Sequence, residues 1–167
     1  MARRRPKLVL FVDDEARIHN TTGTIAKKLR IRARRAWHPD EARRILLRRA
    51  TAIERQQNAL RKKLESSRNA EERRRLRGKI STLGRMKKSP FDLVVQDINM
   101  PIGHPTGVQL AGDIRRDFPK QRVVVLSDDR ENMEEIDDRF GIPGYDKLKL
   151  IAGTRGLEEF IRGYLKR

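Results

Sequence analysis

Three short apolar runs punctuate the chain: Leu8-Val9-Leu10-Phe11-Val12, Phe91-Asp92-Leu93-Val94-Val95 and Arg122-Val123-Val124-Val125-Leu126. They are nearly continuous rather than alternating, the pattern of parallel strands covered on both faces. Each is followed by a polar loop and then by apolar positions at helical spacing. Ile18, Ile25 and Leu29 follow the first, Val108, Leu110, Ala111 and Ile114 the second, and Met133, Ile136 and Phe140 the third. Leu157, Phe160, Ile161, Tyr164 and Leu165 share one face of a closing helix. Weaker strands fit residues 32–36 and 145–150. Strands alternating with helices predict an α/β fold, a five-stranded, doubly wound parallel sheet whose ligands bind at the carboxyl ends of the strands.

Residues 40–88 break this rhythm. Leu46, Ala50, Ile53, Gln57, Leu60 and Leu64 fall at the alternating four- and three-residue steps of a coiled-coil seam. Ser66-Ser67-Arg68-Asn69 interrupts it, and Asn69 followed by Glu72 reads as an N-cap and capping-box pair. A second helix with the seam Arg73, Leu76, Ile80 and Leu83 is expected to return beside the first. The short connection implies an antiparallel hairpin inserted into the single domain 1–167, extending its second helix. Gly78 and Gly84 weaken the returning helix by about 1 kcal/mol each.

Charge sharpens the picture. The formal net charge is +17, and residues 41–88 hold 17 Lys/Arg against 5 Asp/Glu. Residues 89–167 hold 12 against 14. A positive field this concentrated suits nucleic acid, an anionic membrane surface or an acidic protein. There is no cysteine, which excludes disulfides and thiolate metal sites. No apolar run approaches the ~20 residues that cross a bilayer, so no membrane insertion is expected. The basic N-terminus is followed by one short apolar run cut off by Asp13-Asp14-Glu15, unlike a signal peptide, and a cytoplasmic location is expected.

Candidate chemistry gathers where strand ends meet. Asp13 and Asp14 follow the first run, Asp97 follows the second, Ser127 ends the third, and Lys147 or Lys149 lies at the next. Carboxylates held together resist joint ionisation unless a cation neutralises them. Hard oxygen donors without Cys or His point to Mg²⁺. A carboxylate beside such an ion can attack phosphorus and form an aspartyl phosphate, while a hydroxyl and an ammonium stabilise the transferred group.

This arrangement resembles the receiver domains of two-component response regulators. The matching stretches are Leu10-Phe11-Val12-Asp13-Asp14-Glu15, Phe91 to Pro101 with Gln96-Asp97-Ile98-Asn99-Met100-Pro101 at its end, and Val123-Val124-Val125-Leu126-Ser127. They cover roughly residues 7–38 and 89–167. The resemblance implies a flavodoxin-like receiver in which Asp97 is the phosphoacceptor and Asp13 and Asp14 are the acidic pair at Mg²⁺. Asn99 would lend the ion a backbone carbonyl, and Ser127 would follow the phosphoryl group. It also implies a histidine kinase or phosphotransfer protein as partner. Catalysis would extend at most to self-phosphorylation from a phosphodonor and autodephosphorylation.

The sequence departs from the family in three places. Tyr145-Asp146-Lys147-Leu148-Lys149-Leu150 offers two lysines and no proline; on a strand both would share a face. The local context favours Lys147 and the distance from Ser127 favours Lys149. Asp128 stands where a small residue is usual, and the loop Pro101 to Gly107 is about two residues longer than usual. These departures motivate an alternative, a pseudo-receiver that binds partners without phosphorylation. His19, His38 and His104 read as surface or packing residues, Trp37 as packing beside the second strand, and Tyr145 as the aromatic that reorients on activation in this family. The hairpin arginines Arg43, Arg44, Arg48, Arg49, Arg73, Arg74, Arg75 and Arg77 lack interleaved aromatics, so any nucleic-acid contact would be to phosphate. Self-association or a protein contact through the seam is the other expectation. No recognisable DNA-binding output domain follows residue 167, so the output is expected through a protein contact or the hairpin.

Overall fold

The computed structural model describes residues 5–99, 106–151 and 154–166. Five parallel strands form one sheet in the order β2-β1-β3-β4-β5: β1 Leu8–Val12, β2 Arg32–Ala36, β3 Leu93–Asp97, β4 Val123–Ser127 and β5 Gly144–Asp146. The three apolar runs are the central strands, and β1, β3 and β4 are buried at every position. β2 is an edge strand and exposes Arg32, Arg34 and Arg35. Helices α1 Ala16–Leu29 and α7 Thr154–Lys166 cover one face, with Val9, Phe11, Val95, Ile25, Leu157 and Ile161 in its core. Helices α2 Pro39–Ser66, α4 Gly107–Asp117 and α5 Arg130–Phe140 cover the other, over Leu8, Leu10, Val94 and Val125. The expected doubly wound α/β sheet is the one observed.

The second apolar run is shifted from its expected position. β3 begins at Leu93 and includes Asp97, while Phe91 precedes it. The buried amide of Gln121 explains the shift. Its Oε1 accepts from Phe91 N–H and its Nε2 donates to Phe91 C=O, both at 3.0 Å, so this residue's backbone is satisfied outside the sheet. The strand expected over 145–150 is also corrected. It stops at Asp146, and Lys147–Ile151 forms a short helix, α6. The Asp146 carboxylate accepts the Lys149 N–H at 3.1 Å, the capping contact that turns extended chain into helix.

Helix α2 has 28 residues and spans about 42 Å, against about 16 Å for a five-residue strand, so it overshoots the sheet. His38 caps it, its ring nitrogen accepting from Glu41 N–H at 3.2 Å. Its first half buries Ala42, Leu46, Ala50 and Ile53; its second half pairs with α3 Ala70–Lys88. The partners Gln57 to Ile80 and Glu54 to Lys87 show that the two helices run antiparallel. Leu76 and Leu83 are buried in the seam. Asn69 caps α3 by accepting from Glu72 N–H at 3.0 Å, but the Glu72 carboxylate takes the Ser67 hydroxyl rather than closing the capping box. Gly84 leaves room for Gln57: a Cβ there would sit 3.2 Å from the amide that donates to the Ile80 carbonyl. Since α2 runs back from the carboxyl end of β2, the Ser66–Ala70 turn lies at the opposite pole from the strands' carboxyl ends.

Candidate functional site

The parallel register brings the acidic residues to one end of the sheet. β1 pairs with β3 and β3 with β4, with Asp97 opposite Leu126, so the chain leaves β1 at Asp13, β3 at Asp97 and β4 at Ser127 side by side. Carboxylate oxygens of Asp13, Asp14 and Asp97 lie within 4.8 Å of one another. Asp13 and Asp97 are buried, and Asp14 is exposed. Each buried carboxylate is fixed by the backbone that follows it. Asp13 Oδ1 accepts from Glu15 N–H at 2.9 Å, and Asp97 Oδ1 accepts from Asn99 N–H at 3.1 Å.

Lys147 enters from the end of β5. Its Nζ donates to Asp97 Oδ2 and to Glu15 Oε1, each at 2.6 Å, and lies 3.2 Å from Asp13 Oδ2. Burial disfavours its charge, but the hydrogen bonds and attraction of these carboxylates outweigh that and raise its pKa above the ordinary lysine value. One ammonium does not balance the surrounding acids. Burial, assisted by neighbouring negative charge, raises Asp97 above its ordinary value and Asp13 to about 6, although Lys147 opposes both. Lys149 lies outside this site: it is exposed and its Nζ pairs with Asp146 at 3.1 Å. The expectation that both lysines share a face fails because residues 147 and 149 are helical.

Ser127 is fully buried, and its Oγ accepts from Asp129 N–H at 2.9 Å, which leaves its own proton free to donate. Asp129 also caps α5 through the N–H groups of Glu131 and Asn132. Asp128 is exposed and accepts a hydrogen bond from the Asn99 side-chain amide. Tyr145 is half-buried against α7, its hydroxyl 2.5 Å from that of Tyr164 and its ring edge-on to Phe160. The longer loop expected before Gly107, together with His104, lies outside the described residues.

Two site residues were not singled out by sequence reasoning. Glu15 stands in the quoted acidic motif, and its contact with Lys147 was not legible without the fold. His19 is buried, its Nε2 2.8 Å from the Asp13 carbonyl oxygen and its ring packed on Trp37. Its place beside Ile18, with Thr22 and Ile25 on the buried face of α1, was the available signal. Trp37 is half exposed, packing on His19 rather than into the sheet. Burial lowers His19 below the usual histidine value.

The fold matches solved receiver domains along nearly their whole length. A response-regulator receiver domain from Clostridium thermocellum superposes with TM-score 0.60 at 16% identity, covering 96% of this chain and 95% of that one. A CheY-like receiver from Methanospirillum hungatei JF-1 gives 0.59 at 18%, covering 97% and 95%. The chain has the receiver fold. TrrA from Thermotoga maritima, solved in complex with Mg²⁺-BeF, gives 0.55 at 19% identity over 95% and 99% of the two chains. No family model and no curated protein sequence matches. Among the described residues, no helix is long and apolar enough to cross a membrane.

Proposed function

We propose that this receiver fold works as a phosphorelay switch in the cytoplasm, accepting a phosphoryl group on Asp97 from a histidine kinase or phosphotransfer protein. The observation that carries the reading is the buried Asp97 carboxylate, 2.6 Å from the Lys147 ammonium and clustered with Asp13 and Asp14. An all-oxygen, over-acidic donor set fits Mg²⁺, which Asp13, Asp14, Asp97 and the Asn99 carbonyl would hold. Such an ion would screen the charge of the incoming phosphoryl oxygens.

In the transfer step an Asp97 carboxylate oxygen attacks phosphorus. The P–N bond of a phosphohistidine, or the P–O bond of an acyl phosphate, breaks and its electron pair leaves with the donor. Lys147 keeps its proton and moves its hydrogen bond from the Asp97 carboxylate to a phosphoryl oxygen. Ser127 donates its hydroxyl proton to another while still accepting from Asp129, which draws the β4–α5 turn inward. Tyr145 lies next to that turn, because β5 pairs with β4 with Asp146 opposite Ser127. The surface of α5, β5 and α7 is then the output, a local charge event read by a two-state face.

Intact mass after incubation with Mg²⁺ and a small acyl phosphate tests this. An adduct of ~80 Da, one phosphoryl group on a carboxylate, is expected on the wild type and not on Asp97→Asn. The Asn99–Asp128 contact favours a second reading, a pseudo-receiver closed to donors. That reading requires no adduct on either protein from the acyl phosphate or from a phosphorylated histidine phosphotransfer domain, and no Mg²⁺-dependent change in thermal stability.

A further inference from the structure

A large groove lies away from the acidic site, along the edge of the sheet. It measures about 860 Å³, and β2, the flank of α1 and the first half of α2 form its walls. Its lining carries five cations, Lys27, Arg34, Arg35, Arg48 and Arg49, against one carboxylate, Glu41. Glu41 is already engaged, accepting from Trp37 N–H at 2.8 Å. None of Arg34, Arg35 and Arg48 is within ion-pair distance of a carboxylate among the described residues.

The cations are arranged by the fold. Arg34 and Arg35 are adjacent on β2, so their side chains leave opposite faces of the edge strand and straddle it. Arg35 crosses α1 at Gly23, where a Cβ would lie 2.6 Å from its guanidinium. Arg49 is held as a wall: its Nε donates to the Pro90 carbonyl at 2.5 Å and its guanidinium sits 5.5 Å from the Phe91 ring centre. Burial pulls Arg49 below the ordinary arginine value, and the cations of Arg5, Arg34 and Arg32 add to this while Asp92 opposes it. Cations outnumber carboxylates here, and Asp92 is already paired with Arg5 and Lys7.

Charged residues on an edge strand also protect it from pairing with another chain. That accounts for β2 alone. It leaves unexplained why α2 presents Arg48 and Arg49 to the same groove, or why the charge continues. One and two heptads beyond Arg48, exposed Arg55 and Lys62 share its side of α2, and Lys63 shares that of Arg49. Between residues 42 and 64 the only acid on α2 is Glu54, which is paired with Lys87. The stripe from Arg48 to Lys62 is about 21 Å long, longer than a mononucleotide and suited to a polymer.

We propose that the β2–α2 groove and the stripe continuing it along α2 bind the phosphodiester backbone of duplex nucleic acid. Three observations select this occupant among polyanions. The cations sit in a recess, whereas a bilayer presents a plane of headgroups. Phe91, the one aromatic in the lining, is buried, so unstacked bases of a single strand find no platform. The stripe on α2 runs on past the end of five-residue β2, so an acidic peptide added as a strand to that edge would leave Arg55 and Lys62 unmatched. Binding by phosphate contact alone is sequence-tolerant and strongly salt-dependent. It does not require phosphorylation of Asp97.

The test is fluorescence anisotropy of a labelled mixed-sequence DNA duplex titrated with the full chain at several salt concentrations. One variant carries Arg34→Gln, Arg35→Gln and Arg48→Gln. Its charge-matched control carries Arg74→Gln, Arg75→Gln and Arg77→Gln on the exposed side of α3. The groove variant is expected to bind about tenfold or more weakly, with the salt slope reduced by about 2 to 3, and the control to stay near wild type. Equal losses in both variants would overturn the site and leave only net charge. Tighter binding to anionic vesicles, polyglutamate or inorganic polyphosphate than to the duplex would overturn the occupant. Hydrogen exchange of the unmutated protein is the second readout, free of any folding defect. Protection by the duplex over residues 32–36 and 44–63 supports the groove, and protection confined to α3 rejects it.

Discussion

The side-chain amide of Asn99 donates to the carboxylate of Asp128, tying the loop after β3 to the loop after β4 across the mouth of the acidic site. A phosphodonor bound for Asp97 would pass this contact and its exposed negative charge. Unit charges 4 Å apart in water repel by about 1 kcal/mol, about fivefold in rate. Asp128→Ala is therefore expected to accept phosphate from an acyl phosphate about fivefold faster than wild type. Unchanged rates in a time course of intact mass would put Asp128 outside the donor's path.

Lys147 and Lys149 are two residues apart and are expected to behave differently. Lys147→Met leaves Asp13, Asp97 and Glu15 without their cation. At neutral pH this should cost about 3 kcal/mol of stability, the scale for breaking a buried ion pair. Mg²⁺ should restore part of the loss. Lys149→Met removes only an exposed pair and should stay within about 0.5 kcal/mol. Urea unfolding with and without Mg²⁺ measures both; similar losses for the two variants would contradict the assignment.

Asp13 makes the ion-free protein sensitive to pH. Its pKa is about 6 in the folded chain against an ordinary 3.8, so between these values the folded state holds more protons than the unfolded state. Stability from this group is therefore full at low pH and falls as pH rises through about 6, by about 3 kcal/mol in all. His19 is lowered by burial and titrates with the opposite sign, losing stability as pH falls. The decisive quantity is the difference between wild type and Asp13→Asn at each pH. It should grow in favour of Asp13→Asn from pH 4 to pH 7 without divalent ions and shrink when Mg²⁺ is added; a flat difference would refute it.

What the sequence made legible follows from which forces act locally. Buried parallel strands need continuous apolar runs, so β1, β3 and β4 stood out. The α2–α3 hairpin was equally plain, because Ile53, Leu76 and Leu83 fall at helical spacing and are buried, although Leu46 and Ala50 of the same stripe pack on the sheet instead of α3. The start of β3 was misjudged because Gln121, thirty residues away, satisfies Phe91. The choice between the lysines was undecided because it turns on one cap: Asp146 starts α6, which carries Lys149 away from the site. Glu15 joins the site through a contact with Lys147, 132 residues away, that no local pattern encodes, whereas the burial of His19 follows from its place on the apolar face of α1.

Gly107 is where α4 touches the site from beneath. A Cβ there would lie 2.5 Å from Ile98 Cα and 2.8 Å from the Asp97 carbonyl oxygen, both backbone atoms that cannot turn aside. Gln96 donates its amide to the Gly107 carbonyl from within the core, so the helix start is held down as well as close. Thr106 and Gln109 complete a capping box at the same turn. Gly107→Ala must therefore lift the start of α4 or push the backbone after Asp97 outward. Overpacking of this kind costs about 1–3 kcal/mol. If displacement reaches Asp97, the Asn99 N–H that fixes its Oδ1 moves too, and phosphorylation should slow by more than the stability loss explains. Measuring both on the same preparation separates a helix that yields from a site that is distorted. A variant destabilised yet phosphorylated at the wild-type rate would mean that the strain is absorbed entirely by α4.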